Sequence, residues 1–347
     1  MHGQFVWYEL TTPDPEAAIR FYPRFTNWGT QRFDDNYTMW TSDGVPFAGI
    51  YRLNDQMKAQ GTPPNWMPYI ETDSVDATAE QAKSLGAAIV AGPDDIPGTG
   101  RFAVVRDPQG AMFGIYKSFN QSVAWNGKPV MGKPSWHELM THDHEQAAQF
   151  YNALFNWDKI SEMDMGAGDM YYMFGEKRTG SMYGGMFTMN DEYKGMHPFW
   201  LVYMHVKDVA SAVETATQNG GFIHRPQMDI PGGSIAILGD PQGAGFALHQ
   251  AAPPIAAKAA KAVKSVVKKA ADRVRAAVRK ARPKKKVTAK KSAPRPASRK
   301  AKVKKTAKAT TRTMVKAKKK APPRKKKAVP KKRKTASAPR RTAKRKK

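Results

Sequence analysis

The chain opens on a strand-like run, FVWYELTT over residues 5–12, which ends just before Asp14 and Pro15. Asp14 suits a helix N-cap, because its carboxylate can accept from backbone N–H groups left free in the first turn. Pro15 suits the first helical position, where no N–H is needed. Ala18, Phe21, Tyr22 and Phe25 then fall at i, i+3, i+4 and i+7, one apolar face of a helix. NYTMW and GVPFAGIY follow, bounded by Gly, Asp and Pro, and read as strands joined by turns. At WMPYIETD the order restarts, with a strand, a helical pattern through about Leu85, then AAIV, FAVVRD and MFGIYK. The pattern predicts two βαβββ units, an α+β plan with helices on one side of mostly antiparallel strands.

The whole arrangement then repeats. Trp7, Glu9, Leu10, Thr12, Asp14, Ala18, Phe21, Tyr22, Asn27 and Trp28 return 129 positions later as Trp136, Glu138, Leu139, Thr141, Asp143, Ala147, Phe150, Tyr151, Asn156 and Trp157. DIPGTGRFAVVRDPQGAMFGIYK (95–117) returns as DIPGGSIAILGDPQGAGFALHQ (229–250). The second copy also restarts, at WLVYMHVKD, with a helix to about Asn219 and the runs FIHR, SIAILGD and GFALHQ. Two similar domains are expected, 1–120 and 131–250, each of two βαβββ units, joined by a linker at 121–130.

Charge divides the chain a second way. Of its 58 Lys+Arg, 41 lie in residues 251–347 beside a single acid, Asp272, so that stretch carries +40 and residues 1–250 carry −11. Residues 251–282 place Val263, Val267, Ala270, Val274, Ala277, Val278 and Ala281 at helical spacing among Lys and Arg, a basic amphipathic helix. Residues 283–347 are rich in Lys, Ala and Pro without an aromatic, so they cannot bury a core and disorder is expected. The mixture is similar to the lysine-rich tails of linker histone H1 and of bacterial H1-like nucleoid proteins. That resemblance implies sequence-nonspecific binding of DNA, or RNA, through Lys284, Lys285, Lys286, Lys318, Lys319, Lys320, Lys325, Lys326, Lys327, Lys331, Lys332, Arg333 and Lys334. The chain has no cysteine, which excludes disulfides, thiolate nucleophiles and Cys-ligated metals. Neither a secretory leader nor an apolar run of about 18 residues is found, so no membrane partner is expected and the expected location is cytoplasmic and nucleoid-associated. In a nucleated cell PKKRK would suit a nuclear address.

The strand leading to Asp and then FY on the helix, the central restart, and DPQGA before the last strand carry a family likeness. In this order, spaced and duplicated, they resemble the vicinal oxygen chelate superfamily of glyoxalase I, bleomycin-resistance proteins and extradiol dioxygenases. The resemblance covers both domains and implies a metal site with His or Gln on the first strand, His on the restart strand and Glu on the last. Trp7 and Trp136, Trp66 and Trp200, and Gly114 and Ala247 stand at those places. Such residues supply no oxygen or nitrogen donor, so no cofactor is expected, although a divalent metal on Glu138 and His249 stays open.

Strand alternation groups Trp7, Glu9 and Thr11 on one face, and Trp136, Glu138 and Met140 on another. Tyr116 and His249 share faces with Gly114 and Ala247. The expected site is therefore an aromatic-walled cup in each domain, with Trp7, Trp66, Tyr116, Trp136, Trp200 and His249 as ligand contacts and Glu9 or Glu138 as the candidate catalytic base. Packing alone would also place these tryptophans in a core. His137 points away from Glu138 in this register, and HELMTHDH lacks the second His of HExxH, so a zinc hydrolase is not indicated. The expected function is a small-molecule-binding module without the usual metal site, tethered to DNA by its tail; the alternatives are an enzyme using Glu9, Glu138 or an atypical metal site, and a structural or dimerising body for a nucleoid protein.

Overall fold

The computed structural model describes residues 2–59, 61–120, 129–166 and 169–252. The helix expected at 251–282, the tail at 283–347 and its basic residues lie outside the described residues, except for Ala251 and Ala252. In the first domain β1 (Phe5–Thr12), α1 (Pro15–Phe21), β2 (Trp28–Arg32), β3 (Tyr37–Ser42) and β4 (Val45–Arg52) form one unit. After the short α2 (Asp55–Ala59), β5 (Asn65–Glu71), α3 (Val75–Ser84), β6 (Ala88–Ile96), β7 (Gly100–Arg106) and β8 (Met112–Ser118) form the next. The second domain repeats this as β9 (Pro134–Thr141), α4 (His144–Phe155), β10 (Asp158–Asp164), β11 (Met170–Glu176) and β12 (Ser181–Thr188). Its other unit is β13 (Phe199–His205), α5 (Val209–Gln218), β14 (Phe222–Ile230), β15 (Gly233–Gly239) and β16 (Gly245–Ala251). The α+β plan and the four βαβββ units are those expected.

Each domain is one eight-stranded sheet, ordered β2-β3-β4-β1-β5-β8-β7-β6 and β10-β11-β12-β9-β13-β16-β15-β14. The first strands of the two units lie antiparallel at the centre, each flanked on its other side by the parallel last strand of its own unit. Both main caps form as expected: Asp14 accepts from Ala17 N at 3.0 Å, and Asp143 from Glu145 N and Gln146 N, each at 3.0 Å. The helices then differ. Pro23 cannot donate to the helical ladder, so α1 ends at Phe21 and tightens into a 3-10 turn over Tyr22–Arg24. Asn152 stands at that place in α4, which runs on to Phe155 and closes at Asn156 with φ 54°.

The helices and the sheet faces behind them form a single apolar core drawn from both domains. The repeated residues tie it across the domain boundary. Tyr22 Oη donates to Asp240 Oδ2 and Tyr151 Oη to Asp107 Oδ2, both at 3.0 Å, so the FY of each helix reaches the DPQG aspartate of the other domain. The free oxygen of Asp107 gathers the N–H groups of Gln109, Gly110 and Ala111. Likewise Trp157 Nε1 donates to Gly3 O at 2.7 Å, and Trp28 Nε1 to Gly132 O. Each bond is worth about 1 kcal/mol net, and more is lost when a buried partner is left unpaired.

The backs of β1 and β9 meet at Tyr8 and His137, which are equivalent in the repeat and lie 2.6 Å apart, Tyr8 Oη to His137 Nε2. His137 Nδ1 is 2.6 Å from the carbonyl of Tyr183, which can only accept, so Nδ1 carries the proton and Nε2 accepts from Tyr8. Phe5 stacks on the imidazole at 3.6 Å between ring centres. Burial pulls the His137 pKa down to about 3.

Candidate functional site

On the sheet face away from the helices in the first domain, the side of the expected cup, β1 places Trp7 and Glu9, both partly exposed. Tyr37 reaches over from β3. Its ring occupies the space above Gly49 of β4, where a Cβ would come within 1.8 Å of the hydroxyl oxygen, so only glycine allows the approach. Trp7 Nε1 donates to Tyr37 Oη at 3.0 Å, and Tyr37 Oη donates to Glu9 Oε2 at 3.3 Å. Tyr69 of β5 lies above Gly114 of β8 in the same way, 2.0 Å from the place of a Cβ. The second oxygen of Glu9 has no protein hydrogen-bond partner among the described residues. Burial pushes the Glu9 pKa up to about 7, against the lowering pull of the Tyr37 hydroxyl.

The second cup contains the same parts in tighter form. Trp136 Nε1 donates to Tyr171 Oη at 2.8 Å, and Tyr171 Oη to Glu138 Oε2 at 2.8 Å. Tyr203 Oη fills the other carboxylate oxygen, Glu138 Oε1, at 3.0 Å. Met140, Tyr171, Phe187, Leu201, Tyr203 and Ala247 pack into a second apolar cluster on this face, and Glu138 is only 8% exposed. Burial raises the Glu138 pKa, while both tyrosines and the more distant Arg225 lower it. Arg225 of β14 pairs with Glu192 and donates to Tyr193 Oη at 3.0 Å; the Tyr193 ring in turn packs edge-on against Phe187.

Trp7 and Glu9 thus come together, as do Trp136 and Glu138. Tyr116 stands toward the end of the first cup, its hydroxyl donating to Thr99 O at 3.1 Å. His249 stands at the end of the second, with Nδ1 2.9 Å from Ser135 Oγ and its ring 5.7 Å from that of His205. Burial, with help from His205, lowers its pKa to about 4. Trp66 and Trp200 are not on the cups, which corrects their expected place. Trp66 pairs across the sheet with Leu10 and Trp200 with Leu139, so alternation turns both toward the helices. There they are 3% and 4% exposed and donate to Tyr22 Oη at 2.9 Å and Tyr151 Oη at 3.1 Å. Tyr69 and Tyr203, three residues further on, take the expected places. Tyr37, Tyr171 and Arg225 were not foreseen; the glycines of FAGIY and YGGMF, opposite Glu9 and Glu138, were the available signal for the first two. Among the described residues no three His, Cys, Asp or Glu side chains gather in a group that could hold a metal ion.

This doubled βαβββ architecture, with cups on the faces away from the helices, defines the class. The chain matches the model of the Glyoxalase/Bleomycin resistance protein/Dioxygenase superfamily over residues 4–115 and 133–248 and belongs to that family. It is 32% identical over 256 residues to a Mycobacterium tuberculosis protein named "Putative glyoxylase CFP32", covering 71% of this chain and 94% of the relative. It is 29% identical over 265 residues to the anthracycline biosynthesis protein DnrV of Streptomyces peucetius, covering 71% and 92%. Among solved structures, an extradiol ring-cleaving dioxygenase from B. fuscum superposes with a TM-score of 0.52 at 13% identity over 72% of each chain, a likeness of fold. Among the described residues no helix is long and apolar enough to cross a membrane.

Proposed function

We propose that the two-domain body binds a small, partly apolar molecule in the first cup without a metal, and that the basic segment after residue 250 holds this body on nucleic acid. The carrying observation is Glu9, a carboxylate with one oxygen open, set beside Trp7, Tyr37 and Tyr69, with a second carboxylate, Glu71, further along the same face beside Tyr116 and paired with Lys117. A few placed polar groups in an aromatic wall orient an apolar ligand. The donors here do not fit the chelate of the superfamily, because an indole, a phenol and a glycine stand at three of its positions, Trp7, Tyr69 and Gly114. The names of the relatives, a glyoxylase and an anthracycline biosynthesis protein, agree with a small-molecule task.

A second reading, an enzyme, is favoured by the same residue, since a carboxylate titrating at about 7 is matched to proton abstraction near neutral pH. Glu9→Gln separates the two. Turnover of a bound compound that vanishes while its affinity stays would make the body an enzyme. No turnover by the unaltered chain, with saturable binding, keeps the binding reading.

For the basic segment the argument is charge density alone. If about ten of its charges engage phosphates, log affinity should fall against log salt with a slope of about −9, equally for unrelated duplexes. A gel-shift series on the full chain and on a chain ending at residue 252 tests this. Binding by the shortened chain, or a preference among sequences, would refute the tether.

A further inference from the structure

We infer that the first cup takes ligands bearing a protonated amine on an aromatic or apolar body, the ammonium seated on the open oxygen of Glu9 beside Trp7, Tyr37 and Tyr69. This deepens the binding reading above and rests on it.

The hydrogen-bond direction comes first. The Tyr37 oxygen already accepts the Trp7 indole N–H, so its own proton points to Glu9. A donor held in that direction stabilises the ionised carboxylate, and what the cup offers a ligand is an acceptor with negative charge. Next comes the missing counter-charge. Among the described residues no Lys, Arg or His pairs with Glu9, and no cation contributes to its titration. The equivalent Glu138 has a second tyrosine on its other oxygen and Arg225 within electrostatic reach. The first cup lacks both, and an ammonium N–H supplies both at once.

The surroundings select in the same sense. Indole and phenol faces attract cations and repel anions. An apolar ligand covering Glu9 would desolvate it further and force it to protonate, whereas a cationic ligand compensates the charge it buries. A phenol or alcohol could fill the hydrogen bond but would leave the charge uncompensated. Because the empty carboxylate titrates near neutrality, amine binding should expel its proton. Affinity should then be level above pH 7 and fall up to tenfold per pH unit below it.

The test uses the full chain and two probes of the same shape, naphthylmethylamine and naphthylmethanol, titrated by calorimetry at pH 8 and at pH 6. The amine should bind at least about tenfold more tightly than the alcohol at pH 8. That preference should disappear in Glu9→Gln, remain in Glu138→Gln or, if that variant folds poorly, in Tyr203→Phe, and both probes should weaken in Trp7→Ala. Equal affinities, or a preference that survives Glu9→Gln, would overturn the amine inference and leave the binding reading in place. Absence of saturable, Trp7-dependent binding of either probe at millimolar concentration would overturn both.

Discussion

The two cups are built from the same four positions, yet their carboxylates are satisfied differently. In the second, Glu138 has a phenol on each oxygen, and Met140, Phe187, Leu201 and Ala247 pack with those two tyrosines on the face. In the first, Glu9 has one phenol at a longer 3.3 Å, and its other oxygen is open. The difference is small in sequence. Tyr69 and Tyr203 are equivalent, but Tyr69 lies on Gly114 where Tyr203 faces Ala247. The repeat thus keeps the same carboxylate in both domains but satisfies it on both oxygens in one and on a single oxygen in the other.

The sharpest way to break the comparison is to remove the same hydroxyl from each cup. Tyr171→Phe strands Trp136 N–H and one oxygen of the buried Glu138, and should cost about 2–3 kcal/mol. Tyr37→Phe removes the equivalent bonds where Glu9 is partly exposed, so water can replace them and the cost should stay below about 1 kcal/mol. Urea unfolding of both variants measures this. Equal losses would mean that the cups do not differ in closure.

A second effect is a pH dependence of stability. The folded pKa of Glu9, about 7, lies above its ordinary 4.5, so between these values the folded chain holds more protons than the unfolded one. Stability should therefore be greatest, on this account, below pH 4.5, fall as pH rises to 7, and be level above. His137 works the other way. Its folded pKa of about 3 lies below 6.5, so its contribution is whole above pH 6.5 and is lost as pH falls toward 3. Glu9→Gln isolates the first effect: the variant should gain on the wild type steadily from pH 4.5 to 7, by about 1 kcal/mol or more at the end. A flat difference would mean that folding does not raise the Glu9 pKa.

Much of this architecture is legible in the sequence, because the repeat, the caps and the restart strands are local signals. Trp7, Glu9, Trp136 and Glu138 could be placed on their faces because one strand with one register suffices. Trp66 and Trp200 fall on the opposite face from the one expected, since the family pattern counted onto the restart strand lands three residues early, and a slip by an odd number of residues reverses the face. Tyr37 and Tyr171 were invisible for another reason: they arrive from a different strand and meet the carboxylates only through pairing with β4 and β12. The repeated FY, NW and DPQG residues were equally visible but carry a different meaning. They fasten the domains to each other, and so their recurrence reports a shared core rather than a shared site.

The smallest expected effect tests what closes the second cup. Arg225 is held by Glu192 and lies 5.8 Å from the centre of the Tyr193 ring, which packs against the apolar cluster of that face. Glu192 is exposed and the ion pair is screened by solvent, so Arg225→Gln should cost no more than about 1 kcal/mol in overall stability. Its local effects should be clearer. Without the guanidinium the Glu138 pKa should rise further, which carbon-detected NMR of the carboxylate can follow, because Arg225 is one of the groups that hold it down. Tyr193 would also lose its tether, and naphthylmethylamine should then find a second, weaker site that Glu138→Gln abolishes. If the stoichiometry stays at one, the tyrosine pair on Glu138, rather than the Arg225 strap, is what keeps the second cup shut.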